Sequence, residues 1–110
     1  MTYHFLKIAP EWLIPIRHGE KSFEIRRHDR DFKVWDHLVL MEYAHGAYTG
    51  RYTIVQVRCI VTHEMFPYGI AKGYCVMGVF KTIYGPEMKA ILRNHAVEEA
   101  IDPDLLEVQV

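Results

Sequence analysis

Apolar residues along this chain fall into short runs with strand spacing, separated by turn residues, and helical spacing occurs only twice. Tyr3–Ile8 (YHFLKI) has strand length, mixes aromatic and aliphatic residues, and stops before Ala9-Pro10, which predicts a first strand. Pro10 fits the first turn of a helix, where its missing N–H costs nothing. Trp12, Leu13 and Ile16 then follow helical spacing, Pro15 keeps the helix short, and Gly19 ends it. In Ser22–Arg26 (SFEIR), Phe23 and Ile25 alternate with Ser22, Glu24 and Arg26. That is the pattern of a half-buried strand with Phe23 and Ile25 inward and the polar residues outward. The charged stretch RHDRDF reads as a turn, and Asp36–Tyr43 as the next strand.

AHGAYTG reads as a hairpin loop, and Arg51–Thr62 as a long central strand rich in β-branched residues. FPYGIAKG reads as a loop or short helical turn, and Gly73–Ile83 as a last core strand. After Gly85-Pro86 the pattern becomes helical through Pro86–Ile101, with Met88, Ile91, Leu92 and His95 on one stripe, ended by Asp102-Pro103. No internal repeat is visible. These elements predict a mainly β (α+β) fold, a small barrel with a short N-terminal helix and an added C-terminal helix. Residues 1–84 would form the barrel, and 85–110 a helix and tail packed on the same domain.

The chain's 110 residues, 50% apolar and 25% charged, suit one globular domain with an ordinary core. No apolar run approaches the roughly 20 residues of a membrane span, and MTYHFLKIAPEW lacks the marks of a secretory signal. Cys59 and Cys75 sit in strand-like apolar runs without CxxC spacing, so both are expected buried and reduced, in the cytoplasm. The net charge of −1 argues against a general nucleic-acid coater and requires any such contact to come from a local basic patch. The seven histidines show no HxH, HxxxH or Cys/His ligand spacing, so neither a metal nor another cofactor is expected.

The local patch is Gly19–Phe32. Lys21, Ser22, Glu24, Arg26, Arg27 and Arg30 cluster there, with Asp29 and Asp31 beside them. Alternation puts Ser22, Glu24 and Arg26 on one face, and a bend before the strand would bring the Lys21 ammonium to the same side. The ammonium would serve as a general acid or hold a phosphate, and arginine suits bidentate phosphate or guanine contacts. The plainer alternative is an exposed strand whose ion pairs contribute about 0–1 kcal/mol each.

The pattern Gly19-x-Lys21-x-x-Glu24-x-Arg26, followed by Asp31-Phe32-x-Val34-x-Asp36, resembles the ASCH domains of the PUA-like superfamily. Residues 3–80, from LKI-x-P through G-x-K-x-FEIR to Gly73-Tyr74-Cys75-Val76-Met77-Gly78, are most similar to the DUF3850 family of small phage and bacterial proteins. The resemblance implies a PUA-like barrel, commonly an RNA binder, with the motif lining a cleft beside the first helix. Some ASCH relatives are hydrolases, either acetylcytidine amidohydrolases using Lys, Thr and a distant Glu, or a ribonuclease. Lys21 matches that lysine, but Glu24 stands at the threonine position, and Glu64 is the nearest match to the distant glutamate. Trp35 replaces the family's usual glycine, so either the turn takes another form or Trp35 is an exposed stacking surface.

Among the aromatics, Tyr68 in Phe66-Pro67-Tyr68-Gly69 is the best placed to stack on a base. Lys72 and Arg51 are candidates for a positive rim. The readings are then an RNA- or nucleotide-binding module using Lys21, Ser22, Glu24, Arg26, Arg27, Arg30 and Tyr68. Alternatives are a small hydrolase with Lys21 and Glu24 as the acid–base pair, acting on a modified nucleoside or RNA, or a phage-type protein-interaction factor. No membrane contact is expected, and a monomer is favoured over a dimer through the late helix.

Overall fold

The computed structural model describes residues 1–82 and 90–95. Five strands and a helix follow in the order β1 (Tyr3–Ile8), α1 (Pro10–Arg17), β2 (Phe23–Arg27), β3 (His37–Ala44), β4 (Ala47–Thr62) and β5 (Tyr74–Lys81). They form a single curled sheet, β1-β3-β4-β5-β2, with β1 parallel to β3 and every other pair antiparallel. The fold is a mainly β, partly closed small barrel. Its two edge strands, β1 and β2, are the first two in sequence, and α1 joins them. Among the described residues, no helix is long and apolar enough to cross a membrane.

The interior is built by Leu6, Ile8, Leu38, Leu40, Val55, Val57, Cys75, Met77 and Val79, closed by Leu13 and Ile16 of α1. Helical spacing thus buries Leu13 and Ile16, while Trp12 is left 51% exposed. Gly19 ends the helix with φ +75, a conformation that glycine adopts without a side-chain clash. A second cluster lies on the sheet's other side, where Leu92 packs with Val39, Met41, Tyr52 and Ile54. Residues 90–95 are helical. Leu92 therefore lies on a helix against the barrel, whereas the rest of the Pro86–Ile101 stretch, Met88 included, and the tail fall outside the described residues.

Three expectations need correction. The β3–β4 hairpin turn is only His45-Gly46, both at positive φ as a two-residue type I′ turn requires, and β4 begins at Ala47 instead of Arg51. Cys59 is exposed, while Cys75 is buried; both thiols are free. The cause is a bulge between Val57 and Cys59, which adds one residue and swaps faces: Val57 points in, Cys59 out, and Ile60 packs on the core again. The third correction concerns β2, whose sidedness is inverted.

Candidate functional site

On β2 it is Glu24 that is buried, at 3% exposure, while Phe23 and Ile25 face out at 42% and 57%. Register explains this: Glu24 and Arg26 lie opposite Met77 and Cys75, inner residues of β5, whereas Phe23 and Ile25 lie opposite Gly78 and Val76. Period-two alternation separates two faces without saying which one meets the core.

A carboxylate can be buried there because both its oxygens are paired. After α1 the chain doubles back, with the Glu20 and Lys21 N–H groups both donating to the Pro15 carbonyl at 2.9 and 3.1 Å. That turn aims the Lys21 ammonium at Glu24 Oε1 (2.7 Å) and at the Phe23 carbonyl (2.8 Å). Arg26 Nε donates to Glu24 Oε2 at 2.8 Å, and its Nη2 donates to the Lys7 carbonyl of β1 at 2.9 Å. The chain of bonds Lys21–Glu24–Arg26–Lys7 spans the gap between the two edge strands. Lys21, Glu24 and Arg26 therefore converge, as the spacing suggested.

Two clefts open along this seam. The larger, about 440 Å³, is lined by Phe5, Leu6 and Lys7 of β1, by Arg26, Arg27, Asp29, Arg30 and Phe32, and by Tyr48. The smaller, about 280 Å³, contains Glu24 and Arg26 and is walled by Trp12 and Tyr74. Lys7, Arg26 and Arg27 line both. The larger cleft thus gathers four cations against one carboxylate, on a chain of net charge −1. The remaining predicted residues lie elsewhere. Ser22 faces solvent, and its carbonyl accepts from Val79 N at 3.0 Å. Lys21 holds Glu24 without lining either cleft. Tyr68 is 99% exposed on the β4–β5 loop, also outside both. Glu64 is exposed on the same loop, and Lys72 is exposed. Arg51 is bound to the buried Glu42 carboxylate through Nη2 at 2.7 Å. Phe5 and Lys7 have no site role on sequence grounds: Lys7 belongs to the LKI-x-P segment but alternates with core residues on an ordinary strand.

The start of β1 is fixed by Asp36. Its carboxylate accepts from Thr2 N (2.9 Å), Lys33 N (3.0 Å) and His4 Nε2 (2.8 Å), tying β1 to the turn before β3. Burial opposes its charge, but these hydrogen bonds outweigh burial and hold its carboxyl below the usual range. Beside it, burial pushes the His37 imidazole down. Burial and the Asp29 charge push the Cys75 thiol up, so Cys75, opposite Arg26, is a packing residue and not a nucleophile.

Trp35 resolves the question its position raised. The turn keeps a glycine-like backbone, φ +81, so the tryptophan bears the strain, and its ring is 53% exposed.

A family model described as "Domain of unknown function (DUF3850)" matches residues 3–79. Among solved structures, the crystal structure of hypothetical protein PH0355 is similar, with a TM-score of 0.51 at 14% identity. The match covers 74% of this chain and 100% of that one. At that identity the likeness concerns the fold alone. No curated protein matches.

Proposed function

The chain belongs to the DUF3850 family, and from its seam we propose that it binds a nucleotide, free or within an RNA, as a PUA-like ASCH module. One observation carries the reading: Lys7, Arg26, Arg27 and Arg30 converge with Phe5, Phe32 and Tyr48 on a cleft of about 440 Å³. Pockets for small molecules span ~300–1,000 Å³, so the cleft fits a nucleoside with its phosphate. The cations supply the phosphate contacts, and the half-buried Tyr48 ring at the cleft's edge supplies a surface for the base. Glu24 holds Lys21 and Arg26 in place, and its oxygens are both engaged. That favours binding over the acetylcytidine-type or ribonuclease reading, in which Glu24 would have to exchange a proton with substrate. The free thiols Cys59 and Cys75 support a place in the reducing cytoplasm.

The test is calorimetric titration of the purified protein with adenosine monophosphate and with a mixed-sequence dinucleotide RNA between 50 and 200 mM salt. We expect affinity to fall with salt, and Lys7→Ala or Arg30→Ala each to weaken binding about five- to tenfold. Binding that is unchanged in both variants removes the proposal. Turnover of acetylcytidine that is abolished by Glu24→Gln would replace it with the hydrolase.

A further inference from the structure

The inverted β2 leaves an unusual outer surface. Phe23, Ile25 and Phe80 are 42%, 57% and 61% exposed on the sheet face away from the barrel interior. Register joins them: Phe23 lies beside Gly78 and Gly78 beside Cys59, with Ile25, Val76 and Val61 in the next row. Phe80 is two residues along β5 from Gly78, about 8 Å diagonally from Phe23.

The face is also cationic. Arg27 lies 5.9 Å from the centre of the Tyr74 ring, Lys21 4.8 Å from that of Phe23, and Arg58 4.4 and 5.4 Å from those of Trp35 and Phe80. β4 and β5 contain no Asp or Glu, and the one carboxylate of β2, Glu24, points inward. Among the described residues, neither Arg27 nor Arg58 is paired with a carboxylate. Arg58, next to the inward Val57, faces out at the β4 bulge, and Trp35 stands half exposed in a strained conformation that gains it no place in the core.

We propose that this outer face of β2, β5 and β4 binds a single-stranded nucleic acid as the continuation of the strand held in the seam. The ligand is then a strand of several nucleotides and not a free nucleotide. The proposal rests on the seam reading, and Arg27, exposed and lining both clefts, is the link between the two surfaces. A nucleic-acid strand offers an anion and a π-face at every nucleotide, which is the chemistry of rings interleaved with unpaired guanidinium groups. A protein partner would have to bring a carboxylate to each arginine separately.

Fluorescence anisotropy of the full chain, with labelled mixed-sequence RNAs of 2 and 12 nucleotides and the matching DNAs, tests this. The 12-nucleotide strand should bind at least tenfold more tightly than the 2-nucleotide one, as RNA, as DNA or as both. Arg58→Glu with Phe80→Ala should remove at least tenfold of the 12-nucleotide affinity and leave the 2-nucleotide affinity unchanged. Arg58→Ala alone should lower the log–log salt slope by about 0.7. Both positions are exposed, and unchanged far-ultraviolet circular dichroism would verify folding. Equal binding of the two lengths overturns the proposal, as does an equal loss on both or a wild-type dimer that Arg58→Glu dissociates. Failure of the seam reading is separate: it shows as 2-nucleotide binding indifferent to Arg30→Ala.

Discussion

Replacing Glu24 by glutamine keeps the shape of the buried side chain and removes its charge. The carboxylate accepts one charge-assisted bond from Lys21 and one from Arg26. An amide has one acceptor oxygen, so one of these bonds survives in weaker form, and at the other position an NH₂ group faces a cationic donor. Hydrogen bonds to charged groups contribute about 1.5–3 kcal/mol, and removing one partner of a buried pair costs about 3–5 kcal/mol. The side chains of Lys21 and Arg26 are 15% and 21% exposed, so both cations can recover some hydration, which lowers the expectation to about 2 kcal/mol. For a domain of this size, that corresponds to a Tm lower by about 8 °C. Urea denaturation with an unchanged m-value is the assay. A loss below about 0.5 kcal/mol would show that the triad behaves as ordinary surface ion pairs and that Glu24 does not organise the seam.

Trp35→Gly should leave the protein more stable than Trp35→Ala by about 1 kcal/mol, because only glycine relaxes at φ +81; equal urea midpoints would refute the strain. Asp36→Asn should destabilise by about 2 kcal/mol, since the Thr2 and Lys33 N–H groups and His4 converge on one carboxylate; a loss under 0.5 kcal/mol would contradict that role. Stability should also fall with pH in two stages. The His37 imidazole is lowered in the folded state, so the unfolded chain binds the proton first and stability declines as pH drops through about 6.5. The Asp36 carboxyl is lowered too, so its contribution, full above about pH 4, is lost as pH falls through its folded value. Thermal melts from pH 7.5 to 3 check both, and His37→Gln should flatten only the upper stage.

Much of the strand order was legible because each run is bounded by Gly, Pro or charged residues, as at Ala9-Pro10, Gly19 and Gly73. What could not be read was sidedness. FEIR alternates, and hydrophobicity alone puts Phe23 and Ile25 inside; pairing with Met77 and Cys75 of a strand fifty residues away decides the opposite. Likewise, nothing local in VQVRCIV announces the bulge that turns Cys59 outward. The convergence of Lys21, Glu24 and Arg26 was legible, because three close positions and one bend suffice. The part played by Lys7 was not, since it arises only when sheet curvature brings the β1 edge to Arg26.

The most direct test of the central claim is a ¹⁵N–¹H correlation spectrum recorded while the mixed-sequence RNA is titrated in. The largest amide shifts should cluster at Phe5–Lys7 and Arg26–Arg30, on the two facing edges of the seam. Shifts confined to residues distant from both edges, or none at saturating RNA, would contradict it.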